Sequence, residues 1–357
     1  LKTIELKNMT SKKVFIRNSI NFALKKDRRV LVTGANGFVG SSVCDHLVSA
    51  GFDVVGVVRN NVDISADNRW ICQKDLEGSP EIFKTFHAVI HLAARVHIFT
   101  ESSSNTCKEY ERVNRDMTLD LAKKCIAAGV EKFLFTSSIS IFGRFVKGVI
   151  DPMREPAPDD HYGVSKWEAE QNLVKLFSEQ DRSQCIIFRL PMIYGPKNKG
   201  NMLHLLKAAS LRLPLPLELT IGKRSIAYIR NVCDAMGAVI QDKKKERPRV
   251  QTFFINDGHD LTSGELYELI FQVYWSKRGL IPVPTIWLKY LGDLGSTLER
   301  IFSARIFINK KVIARLLNES RFSSELFFQE YDWTPPYEPK QGIAETVEWY
   351  RGQHKIQ

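Results

Sequence analysis

The 357-residue chain is 44% hydrophobic and 25% charged, which excludes a disordered segment, a collagen-like repeat and a small disulfide-stapled module. Its formal net charge of +11 invites a polyanion-binding reading, yet residues 1–28 hold eight bases against two acids, so a short tail carries more than half of the excess. No apolar run approaches the roughly 18 residues a membrane span needs, and the length suits one large α/β domain with a smaller lobe, or two domains.

The basic amino-terminal segment (residues 1–28) lacks a continuous apolar core and a small-residue cleavage site, so no signal peptide is read. Opening at Leu1 rather than Met points to trimming, with Met9 a candidate start. After the tail, Arg29–Thr33 reads as a short buried strand running into a glycine-rich turn, and Ser41–Ala50 as a helix stopped by Gly51. Strands follow at Val54–Val58 and Ala88–Leu92, then a helix around Asn114–Ala128 and a strand at Lys132–Ser137. A helix at Lys166–Glu179 and a strand at Cys185–Leu190 close the series. Strands alternating with helices of this length specify a doubly wound parallel sheet, a Rossmann-type α/β fold. Beyond Gly195 the pattern loosens and prolines cluster, which suggests residues 196–357 form a smaller C-terminal α/β substrate lobe. Some segments of that lobe would return to the dinucleotide-binding domain, residues 29–195.

The first motif with chemistry is VLVTGANGFVG, with Gly34, Gly37 and Gly40 spaced GxxGxxG between a strand and a helix. Gly34 permits the tight turn, Gly37 lets a pyrophosphate approach the backbone, and Gly40 lets the helix pack closely. The helix N-terminus then presents unsatisfied N–H groups to the phosphates; the bland reading is a structural glycine turn. The second strand ends VVGVVRN, where an NAD-preferring site would place Asp or Glu. Arg59 stands there instead, and a guanidinium suits a 2′-phosphate. That favours NADP(H) over NAD(H), against a plain surface arginine. Asp75, next to Leu76, is placed to meet an adenine amino group, or is an ordinary loop acid.

Tyr162-Gly-Val-Ser-Lys166 is YxxxK at the opening of a helix expected near Ser165. At i and i+4 the phenol and the ammonium share a face, so Lys166, helped by an oxidised nicotinamide's charge, would lower the phenol pKa. Tyr162 could then exchange a proton with a substrate hydroxyl while hydride moves. In the strand end FLFTSSISIFG, Ser138 is placed to hold the same oxygen, with Ser137 and Thr136 as neighbours that could be mistaken for it.

Together these residues resemble the extended short-chain dehydrogenase/reductase superfamily, in its nucleotide-sugar epimerase/dehydratase branch. The resemblance runs from about Arg29 to Tyr350 through TGANGFVG, HLAA (His91–Ala94), Asn114 in VNRDMT, YGVSK, RLPMIYGP (Arg189–Pro196), RSIAYIRNVCDA (Arg224–Ala235) and DWTP…GIAETVEWY. It implies a Ser138–Tyr162–Lys166 triad. It also implies cofactor contacts at Asn36, Phe38 and Val39 in the glycine loop, at Leu92, Ala93 and Ala94, at Asn114, and near Pro191 and Ile193 at the nicotinamide. Nucleotide-diphosphate contacts would come from Asn201 and Arg224; the bland readings are a turn residue and a surface ion pair.

Departures narrow the chemistry. The sugar 4,6-dehydratases carry an Asp-Glu pair where this chain has Ile139-Ser140, which leaves no acid pair for water elimination. The 3,5-epimerising reductases need a Cys and His that these positions do not supply. Hydride chemistry at C4 of a UDP-N-acetylhexosamine, or of its 4-keto-6-deoxy derivative, remains. Arg59 and the resemblance to enzymes of N-acetylated deoxysugar synthesis tilt the balance towards a 4-ketoreductase, with a UDP-sugar 4-epimerase close behind. The phosphate-binding Arg-Gly-Asp of galactose epimerases is not evident. A silent dinucleotide sensor is the rival of another class, though such proteins usually lose YxxxK. A nucleic-acid binder would need a basic stripe with interleaved aromatics, which the body lacks.

Scattered Cys44, Cys72, Cys107, Cys125, Cys185 and Cys233 contain no CxxC and read as buried free thiols of a reducing compartment, hence a cytoplasmic location. His87 and His91 read as core or motif histidines, with no metal site. Residues 281–302 form an apolar stretch with few charges: a packed helix of the C-terminal lobe, or an interfacial surface for a lipid-linked sugar or membrane partner aided by the basic tail. The candidate partners are thus a nucleotide-sugar, the inner face of a membrane and a second copy of the chain.

Overall fold

Among the described residues the strands are β1 (Arg29–Thr33), β2 (Asp53–Val58), β3 (Trp70–Cys72), β4 (Ala88–His91), β5 (Lys132–Ser138), β6 (Val149–Ile150), β7 (Gln184–Leu190), β8 (Met192–Tyr194), β9 (Leu215–Leu217), β10 (Arg224–Tyr228), β11 (Val250–Phe254), β12 (Asp260–Leu261), β13 (Leu280–Pro282) and β14 (Arg321–Phe322). The computed structural model describes residues 28–59, 70–78, 80–96, 105–143, 148–198, 200–217, 222–244, 246–302 and 309–354; the basic tail up to Asp27 lies outside them. Seven strands form one sheet in the order β11-β7-β5-β4-β1-β2-β3, and each of its ladders is parallel.

Burial on both faces explains why these strands read as continuous apolar runs. Successive side chains point to opposite sides. Val30, Val32, Ile90, Leu134, Ile186 and Phe188 therefore enter one core, under helices Phe38–Ser49 and Ile229–Gln241. Leu31, Val89, Phe133, Phe135 and Ile187 enter the other, under helices Met117–Ala128 and His161–Ser178. The expected Rossmann-type sheet is thus present, with β3 added at its edge by a strand too short for its periodicity to show.

Pro191 carries the chain from β7 directly into β8, which belongs to a second sheet ordered β12-β10-β8. Beyond residue 195 the lobe is not separate from the sheet. Helix Ile229–Gln241 packs on Phe38–Ser49, and β11 extends the main sheet beside β7.

Three expected helix starts move. The first begins at Phe38, three residues before Ser41. A π-helical turn, Glu111–Asp116, precedes the regular helix Met117–Ala128, so Asn114 sits within that turn. The third begins at His161 rather than near Ser165, because the Asp160 carboxylate accepts the Gly163 N–H at 2.7 Å and caps it. Cys107 is half-buried, and the other five cysteines are buried; all six are free. Among the described residues no helix is long and apolar enough to cross a membrane.

Candidate active site

The sheet order reverses between β1 and β4, and ligands of doubly wound sheets sit at such a switch point, beyond the strands' carboxyl ends. A cavity of about 530 Å³ opens there. Its wall takes Gly34, Asn36 and Gly37 from the turn after β1, and Val57, Val58 and Arg59 from the end of β2. Gln73, Leu76 and Glu77 come from helix Gln73–Glu77, and Leu92, Ala93 and Ala94 follow β4. Phe38 and Val39 are half-buried in the first helical turn, and Gly40 is buried beneath it. Arg59 is exposed at the rim. Asp75 lies half-buried on the short helix whose neighbours line the cavity and is not part of the wall.

The turn fits a dinucleotide on its own geometry. Gly34 holds φ +68°, in the left-handed region. A Cβ on Gly40 would stand 2.1 Å from the Gly34 carbonyl oxygen, so the absent side chain is what lets the helix close onto the turn. A Cβ on Gly37 would meet only that oxygen, at 3.1 Å, which leaves its other side open to close approach. Helix Phe38–Ser49 has no side-chain cap on its first N–H groups, which suits an anion there.

The residues expected to be catalytic lie further along, at the end of β5 and on helix His161–Ser178. Ser138 ends β5; its Oγ donates to Ser140 Oγ at 3.1 Å and accepts from the Ser140 N–H at 3.2 Å. Tyr162 is half-buried on the helix His161–Ser178, hydrogen-bonded to Ser138, with Tyr110 edge-on to its ring at 6.3 Å. Lys166, one turn on, is buried, donates to the Thr136 carbonyl at 2.8 Å and stands 4.6 Å from the Phe135 ring centroid. Gly163 makes this assembly fit, since a Cβ there would meet the Ser140 carbonyl at 2.5 Å.

The Tyr162–Lys166 spacing by itself does not depress the phenol. Burial pushes Tyr162 up to about 12, with the Ser138 hydrogen bond opposing. Lys166 is itself brought down to about 7 by burial, with Glu170 opposing, and its ammonium is directed at a backbone carbonyl. Desolvation therefore outweighs the attraction that the i, i+4 spacing suggests.

Asn114 is held on both sides. It is fully buried; its Oδ1 accepts the Arg95 N–H at 2.8 Å, and its Nδ2 donates to the Arg95 carbonyl and to Ser165 Oγ, both at 3.0 Å. Ser165 Oγ in turn donates to the Tyr162 carbonyl at 2.8 Å. Asn114 thus ties the exit of β4 to the catalytic helix and does not line the cavity, whereas its neighbour Val113 does.

His91 also proves to be a connector. Thr118 Oγ1 donates to the Asn114 carbonyl at 2.8 Å, so at 2.9 Å it accepts from His91 Nε2. His91 Nδ1 is then the acceptor for the Thr33 hydroxyl at 2.7 Å, and Thr33 Oγ1 receives the Ala93 N–H at 3.2 Å. Burial, with Lys166 adding to it, holds the His91 imidazole neutral, down to about 3.

Pro191 is buried at the β7–β8 crossing and Ile193 half-buried in β8, opposite Ala227 of β10. Arg224, half-buried, opens β10 and donates from Nε to the Asn318 carbonyl at 3.2 Å. Asn201 begins helix Asn201–Ser210; its side chain lies outside the described residues. Arg95, which sequence reasoning passed over, lines the cavity directly after HLAA. Its adjacency to that motif was the available signal. Among the described residues no group of three His, Cys, Asp or Glu could hold a metal.

Residues 30–252 match the family described as NAD dependent epimerase/dehydratase. UDP-glucose 4-epimerase of Vibrio cholerae is 29% identical over 331 residues, 91% of this chain and 96% of that protein. The N-acetyl-alpha-D-glucosaminyl-diphospho-ditrans,octacis-undecaprenol 4-epimerase of Escherichia coli O157:H7 is 24% identical, over 90% of this chain and 94% of that one. Among solved structures, UDP-N-acetylglucosamine 4-epimerase from Bacillus cereus superposes with a TM-score of 0.69 at 20% identity, covering 91% of this chain and 99% of that one.

Proposed function

This chain belongs to the NAD dependent epimerase/dehydratase family of extended short-chain dehydrogenases/reductases, and we propose that it reduces a 4-keto nucleoside-diphosphate sugar at C4, drawing on NADPH. The substrate class is a UDP-4-keto-6-deoxy-N-acetylhexosamine. The observation that carries the direction of reaction is Arg59, a guanidinium on the cavity rim at the end of β2. It favours a phosphorylated ribose, and hence the reduced cofactor pool.

The glycine turn, Arg59 and the residues after β4 would hold the dinucleotide in the cavity, where it would supply the hydride. Ser138 and Tyr162 hold the C4 oxygen between two hydroxyls. Tyr162 gives that oxygen its phenolic proton as C4 gains hydride, turning the ketone into a secondary alcohol. Burial raises the phenol's pKa, so the proton is in place but its transfer needs the developing phenolate to be stabilised. Lys166, anchored on the Thr136 carbonyl, stabilises the phenolate left behind when its ammonium is protonated. Ile139 and Ser140 replace the acid pair that loss of water at C6 would need. Arg224 and Asn201 take the diphosphate in the lobe after residue 195.

A UDP-sugar 4-epimerase is the second reading, favoured by the 29% identity to the Vibrio cholerae protein of that name. Incubation with NADPH and a UDP-4-keto-6-deoxy-N-acetylhexosamine separates the two. Stoichiometric loss of NADPH supports the reductase. Redox-neutral interconversion of UDP-N-acetylhexosamines, with no NADPH consumed on the keto sugar, would instead establish the epimerase.

A further inference from the structure

Helix Thr285–Phe302 has two unlike sides. Leu288 is buried, and at Gly292 a Cβ would meet Ile313 at 3.0 Å, so this side packs against helix Lys310–Leu317. The other side shows Ile286, Trp287, Tyr290, Leu291 and Leu294 to solvent, from 40% to 63% exposed. At 3.6 residues per turn these five fall within an arc of about 140°. Trp287 and Tyr290 lie side by side, their ring centroids 6.2 Å apart.

The segment leading into the helix, and the strand paired with it, add further exposed apolar residues. Ile281, on β13 just before it, is 49% exposed, and β13 pairs in parallel with β9. Leu211 and Leu213, which lead into β9, are 59% and 48% exposed. The Leu215 N–H donates to the Gly279 carbonyl at 3.1 Å, which fastens the two segments together. Eight exposed apolar side chains on two paired stretches of chain are more than the scattered exposed leucine of an ordinary surface.

Its charges are mostly cationic, with one exposed acid among them, Asp293. The same stretches carry exposed Arg212, Lys277, Arg278 and Lys289. Asp293, the acid on the adjoining helix side, stands 3.5 Å from Lys310. The Arg212 guanidinium lies 3.8 Å from the Trp275 ring centroid, which fixes one cation beside the loop leucines. Aliphatic side chains with Trp and Tyr, rimmed by Lys and Arg, match the acyl-headgroup boundary of a bilayer and its negative surface potential.

We propose that the Ile286–Leu294 face and the adjoining Leu211–Leu213 and Lys277–Ile281 segments form a peripheral docking surface for an anionic phospholipid membrane. The enzyme then works on its substrate at the membrane surface rather than free in solution. A second copy of the chain is less well suited, since the cationic rims would face one another across a symmetric contact.

The test is co-sedimentation of the full chain with phosphatidylcholine vesicles, with and without phosphatidylglycerol, at low and high salt. Binding should require phosphatidylglycerol and weaken with salt. It should fall about tenfold or more in an Ile286→Ser/Trp287→Ser/Tyr290→Ser variant, with turnover of a soluble substrate and thermal midpoint unchanged. Because that variant keeps the basic tail, equal binding by variant and wild type would trace the attraction to the tail and overturn the proposal. So would no binding to anionic vesicles, or lipid-free self-association abolished by the same substitutions. Should the triple variant fail to fold, Lys277→Glu/Lys289→Glu serves instead, and binding undiminished by that reversal of charge overturns the proposal as well.

Discussion

Gly40→Ala tests the argument that the glycine turn is a packed joint. The new methyl would begin 2.1 Å from the Gly34 carbonyl oxygen and 2.8 Å from Ala35 Cα. Both neighbours are backbone, and β1 just before them is buried and paired on both sides by β2 and β4. Reaching ordinary contact near 3.4 Å requires the helix to retreat by about 1.3 Å, an overpacking that costs roughly 1–3 kcal/mol. The retreat also carries the first-turn N–H groups away from the cavity, so dinucleotide affinity should fall with stability. Gly37→Ala is the matched control. Its φ of −76° suits alanine, and its neighbour need yield only a few tenths of an ångström. Stability should stay within about 0.5 kcal/mol, while affinity drops at least about tenfold, or 1.4 kcal/mol. Urea unfolding followed by circular dichroism, beside a fluorescence titration with NADPH, reads both quantities. Gly40→Ala with wild-type midpoint and affinity, or Gly37→Ala with wild-type affinity, would refute the reasoning.

Tyr162→Phe should lower turnover about 10²–10⁴-fold, with the thermal midpoint nearly unchanged; full turnover in steady-state assays contradicts the proton-donor role. Arg59→Asp should shift the ratio of NADPH to NADH efficiency towards NADH by about 10–100-fold, the worth of a charge-assisted hydrogen bond, and an unmoved ratio would return Arg59 to an ordinary surface residue. His91, held near 3 against an ordinary 6.5, contributes stability that is complete above pH 6.5 and lost as pH falls through that window. Between pH 6.5 and 5 the loss reaches roughly 2 kcal/mol at most; urea midpoints should show a slope that His91→Gln flattens, and an unaltered slope would place the acid sensitivity elsewhere.

Much of the dinucleotide half was legible in the chain because its signals are local. The strand, turn and helix around Gly34, Gly37 and Gly40 are consecutive, and alternating burial on both faces makes β1, β4, β5 and β7 apolar throughout. Helix boundaries were less legible, since a cap such as Asp160 competes with a neighbouring aspartate for notice. The electrostatics misled for another reason. The spacing of Tyr162 and Lys166 declares that they are close, but it carries no information about how much water reaches them.

The candidate residues for the proposed reaction, the YxxxK pair, Ser138 and Arg59, were therefore legible in the sequence alone. Only the tertiary structure decided that burial raises the Tyr162 pKa, that Asn114 ties Arg95 to Ser165, and that His91 joins Thr33 to Thr118 across 58 and 27 positions of chain. The reason is physical: spacing sets which side chains can meet along one helix or strand, while desolvation and long-range hydrogen bonds depend on what the other elements bring against them.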